Sequence, residues 1–216
     1  MIDWAHIDTV FLDMDGTLLD LNFDNHFWLE HVPLRFAEQN ELDIDSAKQH
    51  LFPIFRSVEG TMQWYCVDYW SNELGLDIAE LKREVKHLIS IHPHVINFLD
   101  AARGANKHVA LVTNAHMKSL ELKMQHTQLG GHFDNIVCSH DYGLPKEVPE
   151  FWQRLHDKFP YTSASTLLVD DSLPVLRSAR EHGIAHLLAV HNPDTRGPQK
   201  DVEEFSAINS FDDIMP

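Results

Sequence analysis

The sequence predicts an α/β protein: a Rossmann-like, doubly wound parallel sheet with an inserted all-helical cap. Three observations predict it. From Val95 onward, short apolar runs of strand length alternate with helical patterns, as in parallel strands joined by right-handed crossover helices. Near the N-terminus the apolar run Val10-Phe11-Leu12 leads straight into Asp13-Met14-Asp15-Gly16-Thr17, an acidic loop at the end of a buried strand. Between these two regions no convincing strand interrupts several helical patterns. The expected division is an α/β core from residues 1–20 and 92–216, with a helical cap at residues 21–91 inserted after the first strand. A chain of 216 residues can bury one sizeable core plus a smaller appended unit.

The elements follow in order. Thr9 to Leu12 reads as the first strand. In the cap, Thr61 to Leu74 carries aromatic and apolar residues at helical spacing, and Asp77 followed by Glu80 caps a helix over Ile78 to Leu88. Pro93 opens the second regime, with a helix over Val95 to Ala102 closed by Gly104. A strand follows at Lys107 to Val112, ending at Thr113-Asn114-Ala115. Lys118 to Leu129 reads as a helix ending at Gly130-Gly131, Asn135 to Ser139 as a strand, and Pro149 to Phe159 as a helix. Thr166 to Val169 is a strand, Leu173 to His182 a helix stopped by Gly183, and Ala185 to Val190 the last strand. Asn192 to Lys200, with Pro193, Gly197 and Pro198, reads as an exposed loop.

Composition narrows the function. The chain is 44% hydrophobic and 23% charged, and no segment approaches the roughly 18 apolar residues of a membrane span. The N-terminus carries neither a basic region nor an apolar one that would mark export, so the expected location is the cytoplasm. A net charge of -16 argues against DNA or RNA as partner, since phosphate backbones are held by Lys and Arg. It does not exclude a small phosphorylated metabolite, because one divalent cation and one lysine reverse the local potential. Cys66 and Cys138 have no C-x-x-C spacing and the 16 histidines are scattered, so sequence spacing gives neither a disulfide framework nor a thiolate or histidine metal site. Both cysteines are expected to be reduced and packed inside.

In a doubly wound sheet, ligands gather at the carboxyl ends of the strands. Asp13 and Asp15, two apart, point to one side of the chain, and Gly16 lets the backbone turn away. Thr113 and Asn114 follow the second strand, and Asp170-Asp171-Ser172 follow Leu167-Leu168-Val169. Lys146 sits between them behind Gly143-Leu144-Pro145. Taken singly each has a structural alternative: Thr113 and Asp170-Asp171 as helix caps, Lys146 as a solvated side chain. Their joint order at strand ends argues for a site.

Asp13-x-Asp15-Gly16-Thr17, then Thr113, Lys146 and Asp170-Asp171, resembles the four motifs of the haloacid dehalogenase-like (HAD) phosphohydrolase superfamily. The likeness spans about Thr9 to Leu19 and His92 to Val190. It implies that Asp13 attacks phosphorus and forms an aspartyl-phosphate, while Asp15 protonates the leaving oxygen and later activates water. It also implies Mg²⁺ held by Asp13, the Asp15 backbone carbonyl and Asp171, with Asp170 as a further ligand. Gly16, Thr113, Asn114 and Lys146 are implied to bind the phosphoryl oxygens. Asp15 and Asp171 set the chain apart from true haloacid dehalogenases, which need neither the second carboxylate nor the metal. Asp170-Asp171 stands where many relatives have Gly-Asp, and Val175 stands where a further acidic residue could follow.

The stretches DMDGTLLDLNFDNHFW, QWYCVDYWSNELGLDI, TNAH, PKE and LVDDS are similar to the bacterial GMP/IMP 5′-nucleotidase branch. That resemblance implies a purine nucleoside monophosphate substrate. It carries over no base-contacting residues; Asn25, Trp28 and Tyr69 are the cap candidates, with Tyr65 and Tyr69 expected on one helical face. His116 could approach the substrate or a cap residue, whereas His92-Pro93-His94 reads as a structural hinge. The alternatives are a phosphatase or mutase for a sugar phosphate or phosphoglycolate, and a non-catalytic module that binds a phosphorylated ligand.

Overall fold

A computed structural model describes residues 2–216. Six parallel strands form one sheet in the order β3-β2-β1-β4-β5-β6: β1 Thr9–Leu12, β2 His108–Thr113, β3 Asn135–Cys138, β4 Thr166–Val169, β5 His186–Val190 and β6 Ala207–Ile208. β6, only two residues long, lies outside the expected set because so short a run has no visible period. The α/β expectation is otherwise met, with strand boundaries within one residue.

Strand alternation divides the core in two. Val10, Leu12, Val109, Leu111, Leu167 and Val169 pack on one face of the sheet, and Phe11, Ala110, Val112 and Leu168 on the other. The first face is covered by α7 (Val95–Gly104) and α8 (Met117–Thr127), through Phe98, Leu99 and Leu120. The second is covered by α9 (Pro149–Lys158) and α10 (Leu173–His182), through Phe151, Trp152, Leu155 and Leu176. Phe11, fully buried, meets Tyr161 edge-on at 4.8 Å and Trp152 at 6.5 Å. Burying one such ring contributes about 1.5–3 kcal/mol.

Between β1 and β2 the chain is helical: α1 (Asn22–His26), α2 (Val32–Asn40), α3 (Ile44–Ser57), α4 (Met62–Tyr65), α5 (Val67–Leu74) and α6 (Ile78–Glu84). A π-helical turn, Phe27–His31, joins α1 to α2, with Pro33 at the start of α2. The continuous helix expected over Thr61 to Leu74 is instead two helices. Cys66 is extended at φ -84° and ψ 109°, and its Sγ accepts from Tyr69 N at 3.4 Å to cap α5. The Ile78 to Leu88 helix likewise stops at Glu84 before a 3-10 turn. Gln128, at φ 59°, ends α8 two residues ahead of the expected glycines, its amide bonding back to Met124 O.

The Asn192 to Lys200 loop folds back on the chain rather than standing free. Leu21 N donates to Pro193 O at 2.8 Å, and Asp20 accepts from Thr195 N at 3.1 Å. Among the described residues no helix is long and apolar enough to cross a membrane.

Candidate active site

The register of the sheet builds the site. Leu12 pairs with Leu111 on one side and with Val169 on the other. The next residues, Asp13 and Asp170, therefore emerge side by side from neighbouring strands, with Asp13 N donating to Val169 O at 3.0 Å. The sheet order also reverses here, since the chain moves from β1 to β2 on one side and later to β4 on the other. Such a switch point opens a crevice at the carboxyl ends of the strands.

Two carboxylates this close and this buried need a cation. Lys146, 1% exposed, supplies it: Nζ donates to Asp13 Oδ1 at 2.5 Å, Asp170 Oδ2 at 2.7 Å and Val112 O at 2.9 Å. Asn114 holds the lysine's loop, its Oδ1 accepting from Lys146 N at 2.9 Å and its Nδ2 donating to Glu147 Oε2 at 2.9 Å. Tyr65 OH donates to the other oxygen of Glu147, so α4 reaches the same loop. Thr113 lines the crevice, with Oγ1 accepting from Ala115 N at 3.0 Å.

Asp171 completes an acidic triad. One oxygen each from Asp13, Asp170 and Asp171 lies within 4.8 Å of the others. Gly16, at φ +84°, allows this approach: a Cβ there would come 2.8 Å from Asp171 Cγ. Its amide, expected to bind phosphate, instead donates to Leu19 O at 2.7 Å, because the loop turns back on itself. The contribution of Gly16 is space. Thr17 Oγ1 accepts from Asp171 N at 3.1 Å, and Lys200 Nζ reaches Asp171 O at 2.6 Å.

Asp15 belongs to a second ionic chain that the sequence did not reveal. Lys123, 1% exposed on α8, donates to Asp15 Oδ1 and Asp24 Oδ2, both at 2.6 Å. Lys82 on α6, also buried, donates to Asp24 Oδ1 at 3.1 Å and stands 4.4 Å from the centre of the Phe27 ring. Helical periodicity marks neither lysine as buried, since Lys normally keeps its charge in water; a buried partner on another element is invisible along one sequence.

These surroundings shift the acids in different directions. Burial pushes Asp13 up to about 6 against the pull of Lys146, and Asp15 up to about 6 against the pull of Lys123. Burial, reinforced by Asp170 and Asp13, pushes Asp171 up to about 8. Asp170 is raised as well, again by burial. For Asp24, burial is outweighed by Lys123 and Lys82, which together hold it at about 2. Four carboxylates thus share three buried lysines, while the fifth, Asp171, has only half-exposed Lys200, 3.5 Å from its Oδ2. The triad is all oxygen and carries surplus negative charge, which fits a hard divalent cation such as Mg²⁺.

A cavity of about 1010 Å³ opens over this cluster, lined by Asp13, Asp15, Lys146 and Asp171 and, from the helical segment, by Asn25, Trp28, Trp64 and Tyr65. Asn25 Nδ2 donates to Asp194 Oδ2 at 2.7 Å, so its amide is partly committed to the returning loop. Tyr69 does not line the cavity; it packs edge-on against Trp70 at 5.0 Å. The break at Cys66 puts Tyr65 and Tyr69 in separate helices, so the shared face that four-residue spacing gives in an unbroken helix does not form.

The description haloacid dehalogenase-like hydrolase fits residues 7–183 as a family. The GMP/IMP nucleotidase YrfG of Escherichia coli (strain K12) is 37% identical over 215 residues, 100% of this chain and 97% of the relative. Among solved structures, a HAD phosphatase from Thermococcus onnurineus matches at TM-score 0.81 and 18% identity, covering 96% of both chains. The putative HAD-hydrolase YfnB from Bacillus subtilis matches at TM-score 0.69 and 18% identity, again over 96% of both. At that identity the two structures show the shared fold.

The raised carboxyls set a pH dependence. Asp13, Asp15 and Asp171 hold protons more tightly folded than unfolded. Their contribution to stability is therefore present below about pH 4 and is lost as pH rises through about 6 and then about 8. A cation binds the deprotonated groups, so its stabilisation grows over the same window. Thermal melts in chelator should show the stability advantage of wild type over Asp171→Asn shrinking from about pH 5 to about pH 8. Added Mg²⁺ should raise the wild-type Tm more at the higher pH; an equal rise at both would refute the assignment.

Proposed function

The chain belongs to the haloacid dehalogenase-like hydrolases and is a phosphatase of that family, and on that premise we propose that it hydrolyses purine nucleoside 5′-monophosphates through a phosphoryl group carried on Asp13. The observation that carries this reading is the pairing of Asp13 and Asp15 in one crevice, each held by its own buried lysine. A carboxylate positioned by a cation serves as nucleophile, and a second with its pKa near neutrality can give and take a proton.

In the first step a carboxylate oxygen of Asp13 forms a bond to phosphorus as the bond to the 5′ oxygen breaks, and the Asp15 carboxyl transfers its proton to that leaving oxygen. In the second, Asp15 takes a proton from water as the water oxygen bonds to phosphorus and the bond between phosphorus and the Asp13 oxygen breaks. Inorganic phosphate leaves and Asp13 is regenerated. Lys146, fixed by Asp13, Asp170 and the Val112 carbonyl, favours the ionised form of Asp13 against the effect of burial and places positive charge beside the phosphoryl oxygens, with Thr113 on the same wall. Asp13, Asp170 and Asp171, with the Asp15 backbone carbonyl, would hold Mg²⁺; when bound it neutralises charge on the phosphoryl group.

The core touches only the phosphoryl group, so choice of leaving group falls to the helices at residues 21–91, which we assign as a cap. Trp28, Trp64 and Tyr65 give the cavity an aromatic wall on which a planar base can stack. The GMP/IMP nucleotidase relative supports a purine nucleotide, and the chain's charge of -16 suits a small metabolite better than a polymer. Lys123 acts as a positioning residue for Asp15.

Asp13→Asn should cut turnover by about 10⁴-fold or more while the melting profile stays cooperative, measured as phosphate release with Mg²⁺ present. Lys123→Met removes the charge that holds the Asp15 pKa down. The alkaline limb of the kcat profile should then move up by about one to three pH units; a fall in amplitude with no movement would assign Lys123 a merely structural part. In a panel of phosphate esters GMP and IMP should give the highest kcat/KM. Preference for phosphoglycolate or a hexose phosphate would overturn the nucleotide assignment and leave the phosphatase standing.

A further inference from the structure

A second cluster of ligating side chains lies near the same cavity, and the chemistry above makes no use of it. Cys66, His116 and His140 each offer one donor atom, and the three atoms lie within 4.8 Å of one another. They come from three places in the fold: the extended link between α4 and α5, the residue before α8, and the turn that follows β3. The two imidazole rings meet edge-on at 4.9 Å. His116 Nδ1 accepts from Lys118 N at 3.3 Å, which leaves Nε2 as its free donor atom. His140 Nε2 is buried with no hydrogen-bond partner among the described residues. A buried ring nitrogen without a partner costs free energy unless something fills its lone pair or takes its proton.

We propose that Cys66, His116 and His140 form a binding site for a zinc-class divalent cation, distinct from the oxygen-only site of Asp13, Asp170 and Asp171. One sulfur and two imidazole nitrogens match the borderline-soft, tetrahedral preference of Zn²⁺, whereas Mg²⁺ prefers oxygen. With metal–sulfur and metal–nitrogen bonds of about 2.3 and 2.0 Å, tetrahedral edges are about 3.3–3.5 Å, so side-chain rotations that bring the donor atoms about 1–1.5 Å closer close the site. Asp68 stands beside the site, its Oδ2 3.8 Å from His116 Nε2 and its other oxygen held by Lys118. Ligands of this kind orient one another through such outer contacts. Bound metal fills the orphaned nitrogen of His140 and pins the α4–α5 link to the loops after β2 and β3. His116, Trp64 and Tyr65 all line the cavity, so the pinned contact lies on the wall of the substrate site.

The test uses the full chain, stripped of metal, with Mg²⁺ kept in excess to fill the carboxylate site, and Co²⁺ as optical probe. One equivalent of Co²⁺ should give a thiolate-to-cobalt charge-transfer band and tetrahedral visible bands, and Zn²⁺ should abolish them. Cys66→Ser should remove the charge-transfer band, and His140→Gln should weaken binding by about 100-fold or more, each with an unchanged far-ultraviolet spectrum. Asp171→Asn should keep the full signal. Because the readout is optical, this outcome is independent of whether the enzyme prefers nucleotides or hydrolyses any ester. Protection of Cys66 from alkylation by Zn²⁺ in the wild type serves as a second measurement that needs no variant. A charge-transfer band that survives in Cys66→Ser, or no band and no protection in the wild type, would overturn the site.

Discussion

The structure is organised around crowded negative charge at the carboxyl ends of β1 and β4. Because Leu12 and Val169 are in register, Asp13 and Asp170 emerge together, and Asp171 and Asp15 follow within a few ångströms of the same crevice. Each charge removed from water carries a desolvation cost of several kcal/mol, and only close opposite charge offsets it. Lys146 therefore sits fully buried between two carboxylates instead of reaching for solvent, and Asn114 and Glu147 are spent on fixing its loop. Burial, reinforced by the same crowding, leaves Asp171 near pKa 8, and the all-oxygen triad suits a hard divalent cation.

The helical segment is joined to this charge balance rather than simply covering it. Asp24 lies in α1 and Lys82 in α6, yet both are part of the chain of contacts that ends on Asp15. Lys123 has two acceptors from different regions, and loss of either would leave an under-compensated buried ammonium. Tyr65 repeats the pattern from α4 by bonding Glu147 beside Lys146. Any movement of these helices relative to the sheet would therefore alter the surroundings of Asp15 as well as cavity access. The π-helical turn at Phe27–His31 sets Trp28 on that cavity wall, consistent with the frequent use of such turns at functional sites.

Two kinds of donor set stand close together but differ in chemistry. The strand-end triad presents oxygen alone, while the junction at Cys66 presents sulfur and nitrogen. Hardness separates their preferred ions without any difference in overall charge. The separation matters for a phosphatase, whose catalytic site must exchange substrate readily, whereas a zinc-class site formed across two parts of the fold holds those parts together.

Sequence alone determined the α/β class, the positions of the principal strands along the chain and the acidic strand ends, because apolar periodicity and an unusual D-x-D-G-T loop are local properties. Thr9–Leu12, Thr166–Val169 and Leu173–His182 fall where their patterns place them for that reason. Local pattern failed where a single backbone angle decided: Cys66 breaks the helix that would have aligned Tyr65 with Tyr69, and Gln128 ends α8 before the glycines do. Only the tertiary structure decided that Lys123 and Lys82 are buried partners of Asp15 and Asp24, that Gly16 gives up its amide to make room for Asp171, and that Cys66, His116 and His140 meet. Those residues lie many positions apart, and nothing in the spacing of one chain encodes a contact that arises only when separate elements pack and exclude water.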